Sequence, residues 1–448
     1  MNTVLKDISQ ESLLIDALNQ KPLEYISLKN LNDEQAFDFG AMIKRNKNLT
    51  SLDIDNISDN GFSDIIQLIT EENNIQYLTL GNSNAQLSDA SAIMMTTQLH
   101  KFKQLKNLQM SGKWMGPEAI NVMNMAQRDY KTTYKKNIKI NVTSGVIKDC
   151  SLDELEQIEF IPSNCENLII GDNQYDSTQN YDYVLASIST NKYLKNITTT
   201  KESLDPYLQH TLFESLKHNT TLKELYMTQN SFDKKSFDSL LEAIESNKSL
   251  EELRLYQFSI ISSNTDEQFK KTILNTLFNA LKKNESLKTL VVTNSDDTDD
   301  PNSAHKSTHL GESIMYALMA NDTLKHLQLL SIGLNDQDAI NIANALKINS
   351  SLEQIDISDN PISANGINAI EQATAFNNDV TVSYTVPKSI KACLNTTKNT
   401  FSQCLSKEKT ITTTLWHWLT YPLHLNALVI ILVFGMGLGG VYLKRKFR

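Results

Sequence analysis

The stretches LKELYM (222–227), LEELRL (250–255), LKTLVV (287–292), LKHLQL (324–329) and LEQIDI (352–357) share one pattern, L-x-x-[LI]-x-[apolar]. Apolar residues at alternating positions describe a short strand buried on one face. Five such strands in one phase describe a repeat, and the pattern extends outward from them. LEYISL (23–28), LTSLDI (49–54), IQYLTL (75–80) and LKNLQM (105–110) precede them, LKNITT (194–199) is a worn copy, and KKNIKI (135–140) and CENLII (165–170) are degenerate ones. A last strand is expected at VTVSYTV, from Val380.

A helical pattern follows each strand. Phe237, Leu240, Leu241 and Ile244 show it in one copy, and Ile362, Ile367, Ile370 and Ala373 in another. An asparagine recurs three positions before the next strand motif, at Asn46, Asn191, Asn219, Asn247, Asn284, Asn321, Asn349 and Asn377. The chain leaves a helix there, and Asn tolerates the left-handed conformation that such an exit uses. Two of these residues also open N-x-S sequons, NKS at 247 and NSS at 349. Their periodic placement favours a structural role over glycosylation.

A strand and a helix in about 28 residues, stacked in phase, resemble the leucine-rich repeats of the ribonuclease-inhibitor type. The resemblance covers residues 23–386 in about 12 repeats, although the family's Asn just past the strand appears only at Asn173, Asn230 and Asn360. It implies an α/β solenoid, a horseshoe with parallel strands on its concave face and helices outside, in which each unit buries its apolar side against its neighbours. Both ends need caps. A leading helix is expected within residues 1–22 and a closing amphipathic helix within 387–412, on Ile390, Cys393, Leu394, Phe401 and Leu405.

The net charge is −10, and without the terminal Lys444, Arg445, Lys446 and Arg448 the rest of the chain carries −14. Nucleic acid is excluded as a partner on that balance. The four cysteines have no spacing of a disulfide framework or zinc site, so they are read as thiols in a reducing compartment. No P-loop, H-E-x-x-H or G-x-S-x-G motif occurs, and no enzyme activity or cofactor is expected. The G-x-G-x-x-G match at Gly435, Gly437 and Gly440 lies in an apolar run without a strand-turn-helix context.

If the repeats form a solenoid, the residues between the buried strand positions line its concave face in columns. Glu224, Glu252, Thr289 and His326 form one column; Tyr226, Arg254, Val291 and Gln328 a second; Thr228, Tyr256, Thr293 and Leu330 a third. Tyr and Arg side by side on a rigid surface are the residue types of binding hot spots. A protein partner is therefore expected on Glu224, Tyr226, Glu252, Arg254, Tyr256, Val291, His326, Gln328 and Leu330. Asp53 and Asp55 on the first strands are a further acidic feature. Two consecutive repeats run to 37 residues, with extra length near 261–269 and 295–308. The second insertion carries Asp296, Asp297, Asp299 and Asp300 with His305 and His309, an acidic rim loop near the Tyr and Arg patch. Two histidines without a third nitrogen or sulfur ligand do not make a metal site.

Residues 413–448 read as a membrane anchor with a basic tail. From Leu423 to Leu443 the chain is polar only at His424, Asn426 and Tyr442, and a helix of that length spans about 31 Å, enough to cross a bilayer once. Trp416, Trp418 and Tyr421 precede the run at interfacial depth, and Lys444, Arg445, Lys446 and Arg448 follow it. Gly435 and Gly439 form G-x-x-x-G, a candidate homodimer contact between two spans. Basic residues after the span favour a cytosolic tail, whereas the absence of a signal-like N-terminus favours a tail anchor with the repeats in the cytosol. The second orientation is the expectation. The whole resembles a leucine-rich-repeat effector that an intracellular bacterium injects into its host, capturing a host protein. The alternative function is regulation of a small GTPase, as an activating protein.

Overall fold

The computed structural model describes residues 23–386, apart from 30, 146, 157, 159, 172–174, 176–180, 201–203, 261–266 and 295–309, together with 430–431 and 442–444. Strands and helices alternate along the chain, and neighbouring strands pair in parallel, as in a repeat solenoid. The chain divides into two compact units, residues 1–168 with 191–194, and residues 169–190 with 195–448.

In the first unit the strands Tyr25–Leu28, Ser51–Ile54, Tyr77–Leu80, Asn107–Gly112 and Lys139–Ser144 form a sheet in chain order. Their alternate residues enter one core: Leu52, Leu78 and Leu108 are paired in register, and Ile54, Leu80 and Met110 follow two residues on. In the second unit the parallel strands run from Asn196–Thr199 through Glu224–Thr228, Glu252–Ile260, Thr289–Asn294, His326–Leu330 and Gln354–Asp356 to Thr381–Thr385. The second lengthened repeat carries its extra residues between strand and helix, since its helix begins only at Leu310, whereas the first divides them, with Glu267–Leu281 longer than Lys234–Ser246.

Three sequence expectations need correction. The fifth strand pairs Ile140 with Leu108 and Val142 with Met110, so the degenerate motif is NIKINV (137–142) and not KKNIKI. A slip of two residues keeps the same side chains on the same face, which is why alternation does not reveal it. An additional short strand, Asp149–Ser151, precedes Leu152–Leu155. Its Cys150 is joined to Cys165 with Cα atoms 5.9 Å apart, where free thiols were expected.

The third correction concerns the periodic asparagines. Asn219 and Asn247 leave their helices with φ of −71° and −70°, in extended and not left-handed conformation. Left-handed residues fall instead just past strands at Gln229, Ser331 and Asp359, within the strand Glu252–Ile260 at Gln257, and at one helix exit, Lys135. The asparagine side chains are selected for their hydrogen bonds. Asn247 Nδ2 donates to the carbonyls of Leu216 and Asn219 at 2.6 and 2.9 Å, and its Oδ1 accepts from the N–H groups of Ser249 and Leu250 at 2.8 and 2.7 Å. Asn321, Asn349 and Asn377 likewise donate to two carbonyls of the repeats before them. Asn247 and Asn349 are buried with both side-chain functions occupied, which leaves no room for a glycan.

Helix starts are linked in a similar way. Asp89 caps the following helix, accepting from Gly116 N and Ala119 N at 2.8 and 3.0 Å, and Asp336 accepts from Ser363 N at 2.6 Å. In these two places one repeat satisfies backbone donors of the next, where a helix start would otherwise leave them unpaired.

No helix among the described residues is long and apolar enough to cross a membrane. Within 413–448, Ile430–Ile431 and Tyr442–Lys444 are short strands, the latter antiparallel to Thr381–Thr385. The other residues of that segment, with Trp416, Trp418, Tyr421, Gly435, Gly439, Arg445, Lys446 and Arg448, lie outside the described residues. So do the expected caps at 1–22 and 387–412.

Candidate functional site

Adjacent strands of the second unit align the candidate residues. Glu252 lies opposite Glu224 on one side and Thr289 on the other, Arg254 lies between Tyr226 and Val291, and Tyr256 lies opposite Thr228. Thr289 pairs with His326, Val291 with Gln328 and Thr293 with Leu330. The three columns follow from the strand period: Leu225, Met227, Leu253 and Leu255 are buried, while Glu224, Tyr226, Arg254 and Tyr256 between them keep partial exposure on the other face.

The columns converge on a bonded cluster. Tyr226 OH donates to Glu224 Oε2 at 2.7 Å, and the guanidinium of Arg254 lies 5.1 Å from the centroid of the Tyr226 ring. Arg254 Nε donates to Glu252, and its Nη1 donates to Tyr256 OH at 2.8 Å. Burial, together with the hydrogen bond to Glu224, pushes the Tyr226 hydroxyl well above the usual tyrosine range, so it remains a donor. Burial works against the Arg254 cation, but its bonds to Tyr256 and Glu252 outweigh that and hold its pKa above the ordinary value. The Arg254 side chain is still 34% exposed. A partner would therefore meet an arginine whose rotamer and charge are already fixed, which lowers the ordering cost of binding.

Val291 does not belong to this surface. It is fully buried, because a short apolar side chain flanked in register by the longer Arg254 and Gln328 keeps no exposed area. His326, Gln328 and Leu330 are partly exposed, and the register extends their columns to Gln354 and Asp356. Those two were legible in LEQIDI but were not singled out. At the strand entrances Glu251 accepts from Lys223 and Lys288 at 2.6 and 2.5 Å, which holds its carboxyl below the usual range.

Asp53 and Asp55 of the first unit are also engaged. Ser27 Oγ donates to Asp53 at 3.3 Å and Asn82 Nδ2 to Asp55 at 2.8 Å. Asp296, Asp297, Asp299, Asp300, His305 and His309 lie outside the described residues. Among the described residues no group of three or more His, Cys, Asp or Glu is placed to hold a metal ion.

No protein-family model matches the chain, and no curated protein does. Among solved structures the chain is similar to leiomodin-1 actin-binding site 2, at 16% identity over 37% of this chain and 86% of that one. The TM-score is 0.26, and a likeness that weak carries no argument.

Proposed function

We propose that the chain is a leucine-rich-repeat protein of the ribonuclease-inhibitor type that captures a protein partner on the strand face of its second unit. The supporting observation is the cluster of Glu224, Tyr226, Arg254, Glu252 and Tyr256, in which an arginine and two tyrosines are fixed side by side yet keep exposed surface. Aromatic and arginine side chains with their rotamers set in advance contribute most to protein interfaces. A row of such groups spread over neighbouring strands suits the surface of a protein.

The same proposal places the protein on a membrane through residues 423–443, single-pass, with the repeats in the cytosol. A bilayer requires every backbone group to be bonded within the segment, so in a membrane the run would give up the strand pairing of Ile430–Ile431 and Tyr442–Lys444 and cross as a helix. A bacterial effector that captures a host protein fits this plan. The Cys150–Cys165 link is uncommon in a cytosol, where reduction would free both thiols to donate to Asn167 O, within 3.6 Å of each Sγ.

Proximity labelling from the full-length protein, from a version ending at residue 412 and from full-length Arg254→Ala separates the two parts of the proposal. The shortened form is expected to lose the membrane neighbours, and R254A to keep them while losing a discrete protein neighbour. Identical labelling by the full-length and shortened forms would refute the anchor, and identical labelling by R254A would refute the docking face.

A further inference from the structure

We propose that the outer, helical side of the first unit carries a second docking site, for an acidic amphipathic segment of a partner protein. Two helices of unequal length create it. Asp89–Gln98 has 10 residues and continues as the 3-10 turn Leu99–Lys101, whereas Pro117–Tyr134 has 18 residues. Val122, Ala126, Tyr130 and Tyr134 follow one another at i, i+4 spacing along the longer helix, and with Leu99 and polar residues such as Thr96 and His100 they line a groove of about 510 Å³. The groove is held open. Tyr130 OH donates to Phe102 O at 2.8 Å, Tyr134 OH to His100 O at 3.4 Å, and the two tyrosine rings pack with centroids 4.7 Å apart. Met125 stands beside it with 62% of its surface exposed.

Basic residues gather at the far end of this groove. Lys135 takes φ of 54° as the helix ends and turns the chain, so that Lys136 Nζ reaches Lys103 O at 3.0 Å and Lys139 N reaches Lys106 O at 2.9 Å. Lys103, Lys131, Lys135 and Lys136 are exposed there, whereas Lys106, 5.9 Å over the Tyr77 ring, and Lys139, in register with Asn107, belong to the strand face. Lys103 is paired with Glu71 at 2.6 Å, and Asp129 is a carboxylate within the groove lining. The helix C-terminus accounts for Lys131 and Lys135, since cations are favoured at that end of the macrodipole. It does not account for Lys103 and Lys136, which come from the turns that precede the strands and meet where Lys136 Nζ reaches Lys103 O.

A groove with an apolar stripe beside the lysines of the helix end fits an amphipathic helix that lays apolar side chains along Val122 and Ala126 and its carboxylates over the lysines. A flat bilayer surface cannot enter a groove, and a nucleic-acid backbone has no apolar stripe to bury there.

The test uses the full-length protein in nonionic detergent and a fluorescein-labelled synthetic helix with Leu at i, i+3, i+4 and i+7 and Glu elsewhere, beside a control with Lys for Glu. The acidic peptide is expected to bind and the basic one not, with affinity falling as salt rises. The charge reversal K131E/K135E/K136E and the groove-blocking Thr133→Trp are each expected to weaken binding by about tenfold or more at unchanged circular dichroism. Equal binding of both peptides, or retained binding in either variant, would overturn the proposal. So would binding of phosphatidylserine vesicles or single-stranded DNA that depends on the lysines but not on Thr133.

Discussion

Asn377 donates from its side-chain amide to the backbone oxygen of Asn349 at 2.7 Å, and Asn349 does the same to Asn321 at 3.2 Å. Each asparagine therefore closes its own turn and fastens it to the repeat before. Replacing Asn321 by Ala would leave the N–H groups of Thr323 and Leu324 and the carbonyls of Leu281 and Asn284 without these partners. The expected loss is about 3 kcal/mol in urea unfolding. Asn321→Asp should lose at least as much, because a carboxylate would face two carbonyl oxygens.

Arg254 predicts the opposite separation, with binding lost and stability kept. Its ion pair with Glu252 is partly exposed, so R254A should change unfolding free energy by about 1 kcal/mol or less. Arg254→Lys should fail in binding as R254A does, because an ammonium cannot reach Glu252 and Tyr256 together in the guanidinium geometry. Tyr226→Phe keeps the ring under the cation and should retain more binding than either. Titration of the labelled partner against the three variants checks that order.

Asp59 and Glu251 predict pH effects of opposite sign. Burial raises the Asp59 pKa above its ordinary 3.8 despite hydrogen bonds from Ser88 and Ser91. Folding then favours the protonated form, so the Asp59 contribution is greatest below that ordinary value and declines as pH rises through the folded-state pKa. The stability of wild type relative to Asp59→Asn should fall as pH rises above the ordinary 3.8. Hydrogen bonds from Lys223 and Lys288 lower the Glu251 pKa, so its contribution is present above its ordinary 4.5 and is lost on acidification. With the Glu251 side chain 34% exposed, screening keeps that second effect small. Unfolding curves for wild type, D59N and E251Q taken from well below to well above both ordinary values check both signs.

The Cys150–Cys165 link encloses a sequence separation of 15, for which loop closure predicts about 3 kcal/mol of stabilisation. Oxidised protein should therefore unfold at higher urea than reduced protein, and C150A/C165A should match the reduced form in either condition. Thiol alkylation before and after reduction, read by mass spectrometry, shows which form is present.

The pairing columns from Glu224 to Leu330 were legible in the sequence because strand alternation and repeat spacing together fix both face and neighbour. Alternation has a blind spot: an even slip leaves the face pattern unchanged, which hid the true phase of Ile140 and Val142. Face also does not equal exposure, as buried Val291 shows, since the lengths of flanking side chains decide what solvent reaches. The lysines of the first unit were obscured for a different reason. Net charge averages over the chain, whereas Lys103 and Lys136 meet only through a left-handed turn at Lys135. The asparagine period was plain, but its cause was a pair of hydrogen bonds to another repeat, which a local reading does not contain.

The docking face is tested most directly by a photo-crosslinking amino acid at Gln328, two strands from Arg254 on the same face, in full-length protein inside cells. The account predicts one discrete adduct that disappears when R254A is added. An adduct of unchanged yield in R254A, or no adduct at Gln328 while the same probe at the helix position Glu242 gives one, would contradict it.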